Sequence, residues 1–325
     1  MINAAIVGLG WWGKALVNAV QGKSEQLRFV HGVSKEPEDV GDFALEHDLI
    51  LSTELEDALA DPRVQAVVLA TPHSQHLSQI EAVAAAGKPV FCEKPLALTR
   101  ADAIRAVDAC RKAGVPLGLG HNKRFWPSMR KLKQIVASGE LGEILHIEGH
   151  LSNENSGKLF APWRDAPGES PGGGMTGSGL HVLDAIIHLA GPVRLVHGRL
   201  VLRKQKPDPQ DTVSVLLELA NGITGTLSTV RATPYYWRVH VFGRNGSAES
   251  LGENELVLRR SGAKPELLHL APVDSLLAEL EAFAGAVTGG DAYPIMAGEM
   301  IDTIAAFEAI IKSIGVDAMV QVAAA

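Results

Sequence analysis

Short apolar runs alternate with stretches of mixed polarity over the first 122 residues. Ala4–Val7, Phe29–Val33, Ala66–Ala70, Val90–Cys92 and Leu117–Leu119 read as buried strands. The intervening segments 12–21, 36–47, 74–86 and 100–113 carry helical spacing. Two of these helices run into Gly87-Lys88-Pro89 and Gly114-Val115-Pro116, where Gly takes the left-handed cap and Pro blocks continuation. This alternation predicts βαβ units on a parallel sheet.

The texture changes near residue 122. A helix at 127–138 closes at Gly139. Strand-like segments follow at 144–152, 193–204, 212–220, 223–232, 238–243 and 255–260, with helices near 180–190, 275–288 and 297–314. Asn221-Gly222 and Asn245-Gly246 are dipeptides suited to hairpin turns. The second half therefore predicts an α+β domain on a large, mostly antiparallel sheet of five or six strands. The expected domains are 1–122 and 123–325.

Composition supports this division. A length of 325 residues suits two domains, and 46% hydrophobic with 21% charged residues describes a globular chain. The net charge of −7 argues against a general nucleic-acid binder, which needs a basic face. Two cysteines, Cys92 and Cys110, are too few for a disulfide framework or a structural zinc site. There is no apolar run of about 20 residues, and the N-terminus enters a strand without a basic leader. A cytoplasmic protein with a small-molecule substrate, and no membrane partner, is expected.

The 33 glycines are the compositional oddity, and two clusters supply eight of them. The first, Gly8-Leu9-Gly10-Trp11-Trp12-Gly13, follows a strand and opens a helix. Gly8 permits the tight turn, Gly10 lets a pyrophosphate approach the backbone, and Gly13 lets helix and strand pack closely. The free N–H groups of the helix then face the phosphates. A dinucleotide cofactor is expected here, beside Trp11 and Trp12. An acid at the end of the second strand would bind the ribose 2′-hydroxyl. Ser34 and Lys35 stand there instead, which favours NADP over NAD by leaving no carboxylate to repel a 2′-phosphate. Glu36 nearby keeps NAD open.

The strand ending at Ala70 leads into Thr71-Pro72 and then His76, and the next leads into Glu93-Lys94-Pro95. A lysine at the C-terminal end of a parallel strand points to the crevice where open α/β sheets bind ligands. The second glycine cluster, 172–179, precedes a helical pattern carrying His181, Asp184 and His188. His181 and Asp184 share a helical face.

With the glycine turn, Thr71-Pro72…His76, Glu93-Lys94-Pro95 and Gly-x-His181-x-x-Asp184 in this order, the chain resembles the Gfo/Idh/MocA oxidoreductases. Asn122-Lys123-Arg124-Phe125 and Gly139-Glu140-Leu141-Gly142-Glu143-Ile144 extend the resemblance across nearly the whole chain. It implies an N-terminal Rossmann domain and a C-terminal domain whose open sheet makes homodimer or homotetramer contacts. It also implies that Thr71, Pro72, His76 and Glu93 line the cofactor, and that Lys94 holds the reacting hydroxyl or carbonyl. His181 matches the family's proton-transferring histidine. Asn122, Arg124, Trp163, Arg164 and Asp184 are expected near substrate, although Trp163-Arg164 suits an oligomer contact equally well. His188 is expected to pack or cap. No third ligand accompanies His181 and Asp184, so no metal is expected.

One departure stands out. Many sugar and polyol dehydrogenases of this family carry Asp four residues before the catalytic histidine, and here that position is Gly177. The reading that results is an NAD(P)-dependent oxidoreductase of a sugar, polyol or related carbonyl compound. A glycosidase using transient oxidation, or a non-catalytic cofactor sensor, are the alternatives.

Overall fold

The computed structural model describes residues 1–156, 162–166, 168–204 and 210–323. The chain forms two compact units, Met1–Asn122 with Asp274–Met300, and Lys123–Val273 with Ile301–Ala325. Among the described residues, no helix is long and apolar enough to cross a membrane.

In the first unit, β1 (Ile2–Val7), α1 (Trp11–Val20), β2 (Leu27–Val33), α2 (Gly41–Glu46), β3 (Ile50–Ser52) and α3 (Leu55–Ala60) are followed by β4 (Ala66–Leu69) and α4 (His76–Ala85). Then come β5 (Val90–Glu93), α5 (Arg100–Ala113) and β6 (Leu117–Gly120). The strands form a six-stranded parallel sheet, described in the order β3-β2-β1-β4-β5-β6. Strand order reverses between β1 and β4, which is where such sheets open a crevice at their C-terminal ends. The strands are apolar because both faces are covered, as the fully buried Ala66–Leu69 illustrates. The cap logic holds at α5: Thr99 accepts from Asp102 N–H at its start, and Gly114 ends it with φ +69°. The expected helix 36–47 is shorter, a single 3₁₀ turn at Pro37–Asp39 preceding α2. The short β3 and α3 have too few residues to show a period.

In the second unit, α6 (Pro127–Ala137), β7 (Ile144–Ser152) and α7 (Leu180–Ala190) precede a run of strands. These are β8 (Val193–Lys204), β9 (Gln210–Leu219), β10 (Thr224–Val230), β11 (Tyr236–Gly243), β12 (Gly246–Leu251), β13 (Glu255–Arg260) and β14 (Glu266–His269). Helices α8 (Ser275–Val287) and α9 (Ala297–Val316) and the short β15 (Val320–Gln321) complete the chain. The described sheet has nine strands, in the order β14-β13-β12-β11-β7-β10-β9-β8-β15. It exceeds the expected five or six because β12, Gly-Ser-Ala-Glu-Ser-Leu, lacks a run of branched or aromatic residues and β14 and β15 are short. Among the described strands of this sheet, only β7 and β10 pair in parallel. Both Asn-Gly dipeptides lie where expected, one between β9 and β10 and one at the β11–β12 turn. Alternation along β9 buries Asp211, Val213, Val215, Leu217 and Leu219 on one face. Helix α7 packs so closely on β7 that a Cβ at Gly149 would overlap Val182.

The expected second domain of 123–325 is corrected at 274–300, which clusters with the first unit. The reason is aromatic packing. Phe283 of α8 meets Phe91 of β5 edge-on at 5.6 Å between ring centroids, and the Tyr293 hydroxyl donates to Leu119 O at 2.8 Å.

The second glycine cluster is shaped by a buried ion pair. Arg231 Nε donates to Asp211 Oδ1 at 2.9 Å, and its Nη2 donates to Oδ2. Gly174 N–H donates to the same Oδ2 at 3.2 Å. A Cβ at Gly173 would overlap this carboxylate, and one at Gly174 would lie 2.8 Å from Asp211 Oδ1. These glycines thus make room for protein charge. The chain then forms a π-helical turn, Met175–Gly179, that runs directly into α7. Removing one partner of a buried pair costs about 3–5 kcal/mol. Asp211→Ala is therefore expected to lower the denaturant midpoint of unfolding strongly, while Leu216→Ala on the exposed face changes it little.

Candidate active site

The cofactor turn fits a dinucleotide by its own geometry. Gly8 has φ +94°, and a Cβ there would lie 2.6 Å from Ala70 O, the backbone that follows β4. A Cβ at Gly13 would overlap Gly8 O, whereas at Gly10 there is nothing within 4 Å. Two glycines are thus demanded by the protein, and the third opens onto free space at the start of α1. No side chain caps that helix. The exposed N–H groups and dipole end are what a pyrophosphate requires. Trp11 is 61% exposed and lies beside Trp12, with centroids 5.2 Å apart. Trp12 Nε1 is buried and has no hydrogen-bond partner among the described residues.

The end of β2 is more committed than its sequence suggested. Buried Ser34 exchanges hydrogen bonds with the Glu36 backbone, accepting from N–H and donating to C=O, both at 3.3 Å. Lys35 Nζ contacts both Glu54 carboxylate oxygens at 2.7 Å. Both partners are more than half exposed, so the pair is screened and readily exchanged for another anion.

His76 is a brace at the adjacent strand ends. Its Nδ1 lies 2.6 Å from Pro95 O and its Nε2 3.0 Å from Thr71 O. Both acceptors are carbonyls, so the two bonds are made together only by the doubly protonated ring. The side chain is fully buried, which places His76 as a tie between the Thr71-Pro72 and Lys94-Pro95 turns and not on an open surface. Glu93, the last residue of β5, is buried and its Oε2 accepts the Lys94 N–H at 3.2 Å. Lys94 itself is half-buried and precedes a cis peptide bond to Pro95. Asn122 Nδ2 donates to Ser275 Oγ at 3.2 Å, tying the turn after β6 to the start of α8.

The remaining candidates belong to the second unit. Half-buried His181 lies in the first turn of α7, directly after the π-turn. Such turns recur at functional sites. Gly177 lies in that turn, and a Cβ there would meet nothing within 4 Å. Arg124 and Asp184 form a buried bidentate pair, with Nε to Oδ2 at 2.8 Å and Nη2 to Oδ1 at 2.6 Å. Arg124 Nη1 also lies 2.7 Å from His188 Nδ1, which must accept because arginine only donates. Asp184, expected near substrate, is thus paired with Arg124. His188 is a packing group within the same network. Arg164 stacks on Trp163, its guanidinium carbon 4.6 Å from the ring centroid.

Glu279 was missed. It is fully buried on α8, and neither carboxyl oxygen has a hydrogen-bond partner among the described residues. Burial, with the charges of Glu93 and Asp274, holds its carboxyl well above the usual carboxylate range. The available signal was an acid one helical turn before Phe283 on an apolar face.

Residues 2–121 match the oxidoreductase family with an NAD-binding Rossmann fold, and residues 129–249 match the GFO/IDH/MocA C-terminal domain. Myo-inositol 2-dehydrogenase of Thermotoga maritima is 31% identical over 266 residues, which cover 75% of this chain and 75% of that protein. The 2,7-anhydro-N-acetylneuraminate hydratase of Escherichia coli is 28% identical over 259 residues, covering 77% of this chain and 67% of that protein. The solved structure of levoglucosan dehydrogenase with NADH and levoglucosan superposes with a TM-score of 0.87 at 22% identity, covering 99% of this chain and all of that one, and so shares the fold. With both of its halves matched and a relative of this identity spanned over three quarters of its length, the chain belongs to the Gfo/Idh/MocA oxidoreductase family.

Proposed function

We propose that this protein transfers hydride between NAD(P) and a sugar, polyol or related hydroxyl or carbonyl compound. The observation that carries this reading is the convergence at one edge of the parallel sheet. Gly8 abuts the backbone after β4, and β4 pairs with β5, whose last residue precedes Lys94. When bound there, the nicotinamide accepts or supplies the hydride. Lys94 supplies ammonium donors to the reacting oxygen and stabilises the negative charge that develops on it. His181 takes the hydroxyl proton in oxidation and returns it in reduction. Arg124 and Asp184 fix the first two turns of α7 and thereby the histidine. Trp163 with its stacked Arg164 offers a flat apolar plate and a planar donor fork for hydroxyls.

NADP is the favoured cofactor, because Ser34 and Lys35 stand where a ribose-binding acid would and Glu54 is an exposed, exchangeable partner for Lys35. Homo-oligomers through the open face of the nine-stranded sheet, where Leu216 and Tyr236 are exposed, complete the reading.

A panel of aldoses, ketoses, inositols and sugar acids, followed by reduced-nicotinamide absorbance with each cofactor, tests the function. Turnover with at least one member is expected, with higher kcat/KM for NADP. A strong NAD preference removes the role given to Lys35. Consumption of a sugar substrate without net reduced nicotinamide identifies transient oxidation instead. His181→Asn is expected to lower kcat by about 10²–10⁴-fold with nucleotide affinity unchanged. Unchanged kcat would remove His181 from proton transfer.

A further inference from the structure

Helix α8 lies along β6 in the opposite direction, and three levels can be followed down the pair. At one end Ser275 accepts from Asn122. At the other, Phe283 packs where a Cβ on Gly118 would come within 3.0 Å of its ring. From Phe283 back to Glu279 is four helical residues at about 1.5 Å, and from Gly118 on to Gly120 is two strand residues at about 3.3 Å, nearly the same length. Glu279, one turn before Phe283, therefore falls at the level of Gly120, the last residue of the strand. Gly120 is paired with Glu93 on β5, just as Gly118 is paired with Phe91. The aromatic level is Phe91, Gly118 and Phe283. The next level is Glu93, Gly120 and Glu279.

The second level is a pair of buried carboxyls. A Cβ at Gly120 would lie 2.6 Å from the Glu93 carboxyl carbon, so the missing side chain is what admits that carboxylate. Glu93 is 5% exposed and Glu279 0%. Like charges so close in a dry environment do not both ionise. Glu93 already has an anionic task, since its Oε2 accepts the Lys94 N–H. Glu279 has no hydrogen-bond donor on either oxygen among the described residues, so nothing there stabilises its anion.

We propose that Glu279 is held as a neutral carboxylic acid and donates its proton in a hydrogen bond to the Glu93 carboxylate, acting as a positioning residue for the Lys94 turn. Its relevance to turnover rests on the reading that Lys94 acts on substrate. The hydrogen bond itself does not. Burial and the Glu93 charge raise the Glu279 carboxyl in the direction the bond requires.

Infrared difference spectra of the full chain, wild type minus Glu279→Gln, test the protonation state. A carbonyl stretch of a protonated acid at neutral pH is expected, and a carboxylate stretch would overturn the proposal. With 15N-lysine labelling, the Lys94 amide resonance is expected to keep its position in Glu279→Gln, which retains a donor, and to move in Glu279→Met, which has none. An unmoved resonance in Glu279→Met overturns the positioning role. The kinetic counterpart is a kcat near wild type in Glu279→Gln and about tenfold lower in Glu279→Met, with nucleotide affinity equal in both. Should Glu279→Met fail to fold, the infrared band and the Gln variant still decide. A moved resonance with unchanged kcat leaves the hydrogen bond standing and contradicts the role of Lys94.

Discussion

Parallel pairing of β1 with β4, and of β4 with β5, brings the C-terminal ends of all three strands to one edge of a sheet. Side-chain ligands, caps and braces follow from that edge. The glycine turn has to leave β1 where the backbone after β4 already stands, which removes the Cβ from Gly8 and then from Gly13. The Thr71-Pro72 and Lys94-Pro95 turns emerge side by side, close enough for one buried histidine, His76, to bond both. A functional lysine on such an edge inherits its position from backbone hydrogen bonds and not from its own flexible stem.

The second unit reaches the same end with buried charge. Two fully desolvated arginine–carboxylate pairs, Arg124–Asp184 and Arg231–Asp211, fix α7 and the glycine run before it. Pairs of this kind contribute specificity of arrangement more than net stability. Here they hold the π-turn and the first turn of α7, and so the backbone that carries Gly177 and His181. A Cβ at Gly177 would meet nothing within 4 Å among the described residues.

Much of this was legible in the sequence, for physical reasons. Strands buried on both faces are continuous apolar runs, and Gly-x-Pro stops are local, so the parallel half could be read nearly strand by strand. The glycine fingerprint and Glu93-Lys94 are also local. What escaped was long-range. Nothing near residue 279 says that α8 returns to the first unit, because that depends on Phe283 meeting Phe91 across nearly two hundred residues of chain. Nothing near residue 173 says that its glycines face Asp211. The partner of Lys35, Glu54, sits after a strand too short to be seen. Sequence spacing put Asp184 on the helical face of His181 and said nothing of its ion pair with Arg124, sixty residues away.

In the proposed reaction Lys94, presented at the sheet edge, acts on the reacting oxygen. Single-turnover hydride transfer by Lys94→Ala, measured beside its nucleotide dissociation constant, tests it most directly. A rate lower by several orders of magnitude with nucleotide affinity retained is expected. A variant that transfers hydride at the wild-type rate would contradict it.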